Sequence, residues 1–360
     1  MTSLQLSSYV PTLAIRPAEM RGLEFLPRSS KRAMTPTFLI APWTSARSLA
    51  SAIVRAEAAY PSMPYLADIE RNYYTSSPER PAYQEYLELR DPSDGYQAWR
   101  RFAEDHEMLN PAVQIVDTDR DGINTQIDTF RALGRHWFLR ITPSIRVDSL
   151  AEIVGDLNDR GFADFHVTLD YGHVNDAIAI ESWVSGLLRG GLAHLRPSVP
   201  IVVTCTTFPT EFFEDQDGTP ITYRFSNHRL LEQLRRSHNQ RSFIYGDWGS
   251  TKPRVPPSIL NKPVPRIDYP VLDQWFIARE RADVDPFEQN AINIRRSAAW
   301  NGRLGIWGEE QILITCSDQE AGINSAPKAT AVRTNIHLHL QATHLMGIRS
   351  DAPPDEPWED

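Results

Sequence analysis

The chain has 360 residues, 41% of them hydrophobic, with a mean hydropathy of −0.40 and a net charge of −9. That composition supports one large globular domain or two ordinary ones, and no stretch reaches the roughly 20 apolar residues of a membrane span. An acidic chain is a poor generic partner for nucleic-acid backbone, which rewards clustered Lys and Arg; the two basic runs, Arg28–Arg32 and Arg235–Arg241, read as solvated loop or helix-end charges.

The polar N-terminus, Met1 to Tyr9, lacks the charged and apolar regions of a secretory signal. Cys205 and Cys316 sit in apolar runs and read as buried free thiols of a reducing compartment. A cytoplasmic location is therefore expected.

Short β-branched or aromatic runs recur along the chain: Val10–Ile15, Phe38–Ala41, Tyr65–Ile69, Val113–Val116, Trp137–Ile141, Phe165–Leu169, Ile201–Thr206 and Ser242–Tyr245. Helical patterns separate them. Ser48–Ala59 carries Leu49, Ala52, Ile53 and Ala56 on one face, and Asn124–Leu133 turns Ile127 and Leu133 inward. Ser149–Leu157 opens on a capping box, Ser149 with Glu152, and is closed by Gly161. Asp176–Leu188 and Arg229–Arg236 fill the next two connections. This alternation predicts an α/β fold with parallel strands, of the (β/α)8 TIM-barrel type, with an open doubly wound sheet as the alternative.

Two stretches break the rhythm. Residues 71–108 are too long for a simple connection and carry a predicted helix near Gly95–Glu107; this insertion suits a lid, a specificity loop or plain decoration. The barrel proper spans 1–250. Beyond it, 251–350 form a C-terminal extension: a Pro-rich linker (Thr251–Pro265), a hairpin (Arg266–Glu280), a helix (Asp285–Ala299) and a second helix (Ser325–Gly347) that can supply the last barrel helix. The acidic, Pro-rich tail 351–360 is predicted to be disordered.

In such a fold the C-terminal strand ends converge on one face, and residues two apart share a direction. Those ends are polar here: Arg16, Asp68 and Glu70, Asp117 and Asp119, Arg140, then His166, Thr168 and Asp170, then Thr206, then Asp247 and Trp248. Several carboxylates around one cavity must bind a metal, pair with Arg or hold a proton. Two chemistries fit. Glu70, Asp117, Asp170 and Asp247 can ligate Mg²⁺ or Mn²⁺, with Arg16, Arg140, Thr206 and Trp248 contacting an anionic ligand. Alternatively Glu70 and Asp170, with His166 and Asp247, can serve as acids and bases. The plain alternatives are helix caps for Asp117, Asp119 and Asp170, and internal ion pairs for Arg16 and Arg140.

His337-Leu338-His339 has HxH spacing, but on a helix residues two apart diverge by about 200°, which argues against a shared metal. Walker A, Rossmann glycine, CxxC and nucleophile-elbow motifs are absent, so nucleotide cofactors are not indicated.

The opening Ser8-Tyr9-Val10-Pro11-Thr12-Leu13 with Pro17-Ala18-Glu19, the Tyr245-Gly246-Asp247-Trp248-Gly249-Ser250 segment, and the closing Trp307-Gly308, Cys316 and Thr334–Leu338 resemble the "beta protein" family of bacteria and phages. Where the family pattern has two adjacent histidines after the asparagine, this chain has Ile336 before His337. The resemblance implies a component of a bacterial or phage defence system, working beside a separate effector, and singles out Asp247 and Gly249. The expectation is a barrel pocket that binds or hydrolyses a phosphorylated or nucleotide-like anion, with a metal-dependent hydrolase as its most concrete form. The alternative is a non-catalytic adaptor that meets a protein partner through the insertion and the extension, with Tyr73, Tyr74, Tyr83, Tyr86, Trp275 and Trp307 as anchors.

Overall fold

A computed structural model describes residues 4–145, 147–174, 177–213, 219–224, 227–254, 264–279 and 285–347. The acidic tail 351–360 and most of the Pro-rich linker lie outside the described residues. The fold is mixed α/β, built on two four-stranded parallel sheets. The first holds β1 (Thr12–Ala14), β2 (Thr37–Ile40), β3 (Tyr65–Ile69) and β4 (Leu109–Pro111) in sequence order. The second holds β5 (Trp137–Ile141), β6 (Phe165–His173), β7 (Ile201–Thr206) and β9 (Phe243–Tyr245). A third, antiparallel sheet orders β10 (Ile267–Val271), β11 (Gln274–Ala278) and β8 (Ile221–Arg224).

The outer strands of the two parallel sheets touch at both seams. Ala112 bridges Phe138, and the Val113 amide donates to the Phe138 carbonyl at 2.9 Å. On the other side Tyr9 bridges Tyr245, with Val10 N donating to Tyr245 O at 2.9 Å and Thr12 N to Asp247 O at 2.7 Å.

Of the helices that cover the sheets, spacing does not predict the first two, and Lys31 in the second is buried rather than solvated, while the other five lie on segments whose spacing predicts a helix. They are α1 (Pro17–Glu24), α2 (Arg28–Arg32), α3 (Ala50–Ala59), α6 (Arg120–Ala132), α7 (Val147–Asp159), α8 (Ala177–Arg189) and α9 (Asn227–Ser237). The insertion carries α4 (Pro81–Leu89) and α5 (Ser93–Asp105). Asp119 caps α6, its carboxylate accepting from the Gly122 amide at 2.8 Å. Three expectations are corrected. The fourth strand lies at Leu109–Pro111 rather than Val113–Val116, because Asn110 and its neighbours pair with β3 while Val113 and Ile115 pack as loop residues on the core. Ser149 falls inside α7 instead of capping it, so the capping-box motif is idle. Strand β8 is an addition that four residues between β7 and α9 did not announce.

The C-terminal extension supplies the hairpin β10–β11, then α10 (Pro286–Arg296), α11 (Trp307–Thr315) and α12 (Ala326–Leu345). It has its own core, including Ile267, Tyr269, Phe287, Ile294, Ile306 and Ile312. Helix α12 joins this core to the main one. Val332, Ile336 and Leu340, spaced by four, face the extension, while Leu338, Ala342 and Leu345 face the parallel sheets and α1. A helix buried on opposite sides needs no polar stripe, which is why α12 is apolar or satisfied-polar almost all round. Among the described residues no helix is long and apolar enough to cross a membrane. Cys205 and Cys316 are free thiols, the first buried and the second half-buried.

Candidate functional site

The polar strand ends sort into three places. The first lies between β3, β5 and β6. Arg140 donates to Asp68 Oδ2 from Nη1 at 3.0 Å and to Asp170 Oδ2 from Nε at 3.0 Å and Nη2 at 2.5 Å. Asp170 Oδ1 accepts from Trp248 Nε1 at 3.0 Å and from the Gly172 amide at 2.8 Å. Asp68 Oδ1 accepts from Gln114 Nε2 at 2.7 Å, and Gln114 in turn accepts from Arg71 at 2.5 Å. Asp68 and Asp170 are buried and the Arg140 side chain is only 10% exposed, so these charges must be paired. Burial works against the Arg140 cation, yet Asp170 and Asp68 together raise its pKa above the ordinary arginine value. This is the internal ion pairing that a crowded set of carboxylates demands.

His166 does not join Asp170. Both are on β6, but four residues of extended chain separate them by about 13 Å. His166 is stacked between His136 and Phe138, with Nδ1 2.8 Å from His136 Nε2. Burial, then the neighbouring His136, holds it neutral, well below the usual histidine pKa. It is a packed histidine, and its proposed acid–base role in the site is withdrawn.

The second place is on the opposite face of β9, toward α12. Asp247 accepts from the Tyr9 hydroxyl at 2.8 Å, the Gly249 amide at 2.8 Å and the Tyr245 hydroxyl at 3.3 Å, and lies 2.8 Å from His337 Nε2. Burial opposes the anion, but His337, the Gly249 amide and Tyr9 outweigh it and lower the Asp247 pKa. Tyr245 and Asp247 share a direction, as alternate residues must, and Tyr245 belongs to the sheet–helix core. Asp247 therefore cannot meet Asp170. The inward neighbour Trp248 does that instead. A small cavity beside Asp247, with space for about one water, is lined by Thr206, Asn227, Trp248, Ser250, Trp275 and His337. Thr206 Oγ1 accepts from the Phe208 amide at 3.2 Å. Sequence reasoning weighed His337 only as half of an HxH pair and did not place it against Asp247. Its signal was a histidine on a helix face shared with leucines rather than lysines.

The third place is at the C-terminal ends of β1 and β3, under the 248–254 loop. That loop turns sharply, with Gly249 and Ser250 both left-handed at φ 55° and 62°. Arg16 pairs with Glu19 and donates to Lys252 O at 3.1 Å. Arg254 lies 3.7 Å from Glu70 Oε2 and over the Tyr73 ring at 5.2 Å. Burial, then Arg16, lowers the Arg254 pKa. Glu70 Oε1 accepts from the Asn72 amide at 3.0 Å. Beyond Lys252 stand Arg266 and Arg333, both paired with Asp268 and both over the Phe208 ring. Three atoms here are buried without a hydrogen-bond partner among the described residues: Arg16 Nε, Arg254 Nε and Glu70 Oε2.

The four carboxylates expected to share a metal are thus dispersed. Asp170 holds Arg140, Asp247 holds His337, Glu70 faces Arg254, and Asp117 is exposed at a left-handed turn with φ 55°. Among the described residues no three His, Cys, Asp or Glu side chains gather as metal ligands. His337 and His339 diverge as a helix requires, the latter 2.8 Å from Ser30 Oγ. The aromatics expected to anchor a partner are mostly internal. Tyr86 and Trp275 are buried, Tyr73 and Tyr83 pack together, Trp307 stacks on Phe25, and Tyr74 alone of the six is well exposed, at 48%.

The chain is thus a parallel-stranded α/β protein with a buried ionic core and a basic cluster at its strand ends. It belongs to the Beta protein family, whose model matches residues 9–343. Among curated proteins it is similar to "Protein beta" of Enterobacteria phage P4, 24% identical over 343 residues that cover 93% of this chain and 92% of that protein.

Proposed function

We propose that this protein binds a small anionic ligand, phosphorylated or nucleotide-like, at the strand ends beneath the 248–254 loop. The supporting observation is that Arg16 Nε is buried with no hydrogen-bond partner among the described residues, and that Arg254 Nε has no hydrogen bond either, only an ion pair with Glu70 Oε2 at 3.7 Å. A buried guanidinium N–H left unpaired is costly, and an anion is its natural acceptor. The same chain carries a net charge of −9, so gathering Arg16, Lys252, Arg254, Arg266 and Arg333 in one region is not a reflection of composition. Glu70, whose Oε2 faces Arg254 Nε at 3.7 Å, is the carboxylate paired with that arginine.

We further read the two parallel sheets as one closed (β/α)8 barrel, with α12 as the eighth helix. The hydrogen bonds at both seams and the packing of α12 on α1 support this. On the family resemblance, the proposed setting is bacterial or phage defence. Survival of a host under phage challenge, with and without the gene, tests that part.

The ligand is tested by thermal unfolding at low salt with inorganic phosphate, pyrophosphate and nucleoside phosphates. The expected result is a concentration-dependent rise in Tm that Arg16→Ala and Arg254→Ala each weaken. A Tm that none of these anions moves overturns the reading.

A further inference from the structure

We propose that Lys252 is a carbonyl-reactive lysine, whose ε-amine forms an imine with an aldehyde or ketone carrying an anionic group. The inference rests on the anion site proposed above and names the class of ligand that site takes.

The chain has four lysines, Lys31, Lys252, Lys262 and Lys328, in a sequence otherwise rich in arginine. An arginine stays charged and unreactive, whereas a lysine in the same place can lose its proton and attack. Lys252 follows directly on the Trp248–Thr251 turn, and its carbonyl is the acceptor for Arg16. Its Nζ donates to the Pro209 carbonyl at 3.0 Å and lies 5.9 Å from the centre of the Phe208 ring. The charged groups that face it are Arg266 before β10 and Arg333 on α12, with Asp268 bonded to both arginines; His173 at the end of β6 is also near. Among the described residues no carboxylate pairs with Lys252 itself. A half-buried amine near an aromatic ring, facing two guanidinium groups, loses its proton more readily than an exposed lysine. Burial first, then Arg266 and Arg333, pushes its pKa down to about 8.

The step needs no oxidant or reductant. The unprotonated Nζ adds its lone pair to the carbonyl carbon, forming the C–N bond, and one nitrogen proton passes to the oxygen. The second nitrogen proton leaves as the C–O bond breaks, releasing water and leaving the C=N bond. The ligand's anionic group would meet the arginines facing the amine, Arg266 and Arg333, with Arg16 joined to Lys252 through its carbonyl.

Lys31 is an internal control. Burial also brings its pKa to about 8, and its Nζ likewise donates to a backbone carbonyl, that of Glu24 at 2.8 Å, but Glu24 rather than arginine is the charge beside it. The full-length protein is incubated with pyridoxal 5′-phosphate or with unphosphorylated pyridoxal, trapped with borohydride, and digested to map the modified lysine. Expected is labelling of Lys252 about tenfold faster than of Lys31 or Lys328, lost in K252R, slowed by inorganic phosphate, and much weaker with pyridoxal. Labelling spread evenly over the lysines overturns the proposal, as does equal labelling by the two aldehydes. A phosphate-induced rise in Tm with Lys252 unlabelled overturns the imine while the anion site stands. No Tm response to phosphate, with labelling indifferent to phosphate, overturns both.

Discussion

His337 in the last described helix and Asp247 just past the last strand of the second sheet lie 90 residues apart in sequence and 2.8 Å apart in space. Tyr9, near the start of the described chain, donates to the same carboxylate. One buried anion thus ties three distant segments. Removing it leaves a tyrosine hydroxyl, a ring nitrogen and the Gly249 amide without their acceptor. Asp247→Ala is expected to destabilise the protein by about 3–5 kcal/mol, measured by urea unfolding. His337→Ala is expected to cost less, since Tyr9 and Gly249 still hold the carboxylate.

The same group sets a pH dependence. The folded-state pKa of Asp247 is lowered, burial notwithstanding, by His337, the Gly249 amide and Tyr9. Asp268 behaves likewise, with Arg266 and Arg333 outweighing its burial. A depressed carboxylate contributes stability that is full above its unfolded pKa, about 3.9, and is lost as pH falls through the lower folded value. Stability is expected to fall steeply as pH drops below about 4. In Asp247→Asn that fall should be shallower; an unchanged slope counts against this account.

Arg140 is the counter-charge for two buried carboxylates. Arg140→Met leaves Asp68 and Asp170 uncompensated and is expected to cost about 3–5 kcal/mol in denaturant unfolding. Adding Asp68→Asn and Asp170→Asn should recover part of that loss. If the triple variant is no better than the single one, charge burial is not the cause.

Helices α1 and α11 both reach α12 through a glycine. A Cβ on Gly22 would stand 2.7 Å from the Ala331 carbonyl oxygen, and one on Gly308 would stand 2.9 Å from Asn335 Oδ1. Asn335 bonds to both, donating to Gly22 O at 2.9 Å and accepting from Gly308 N at 2.9 Å. Gly22→Ala is expected to lower stability by about 1–3 kcal/mol, because backbone cannot yield as a flexible side chain can. Thermal unfolding checks it against Gly186→Ala, where a Cβ would meet nothing within 4 Å.

Anion binding should depend on salt as well as on arginine. With Arg16 only partly shielded, at 27% side-chain exposure, raising ionic strength is expected to weaken the phosphate-induced Tm shift. An isothermal titration at two salt concentrations measures this directly.

Much of the fold was legible because its signals are local. Seven of the eight expected strands fall on or beside the residues named for them, and two helices of the extension, α10 and α12, fall where caps and spacing placed them, while α11 was not expected. The fourth strand was displaced because β-branched content reports burial rather than ladder pairing. Val113 packs on the core, whereas the ladder runs through Asn110 and stops at Pro111. The site was legible in kind but not in grouping. Arg140 and Asp170 came together as charge balance requires. Asp247 was set beside them, although its partner Tyr245 already pointed to the other face. The partner of His337 was not foreseen and Lys252 was not singled out, because the groups they meet lie on segments distant in sequence, and no local pattern carries such pairings.

The clamp on α12 bears on the order of events at the ribosome. Gly22 and Asn335 are separated by 313 residues, so the surface α1 offers to α12 stays uncovered through nearly all of synthesis. Tyr9 and Asp247 wait in the same way for His337. The nascent chain therefore holds an unsealed apolar face until α12 emerges, and closure comes in one long-range step. A product interrupted before α12 would leave that face open to chaperones and proteases.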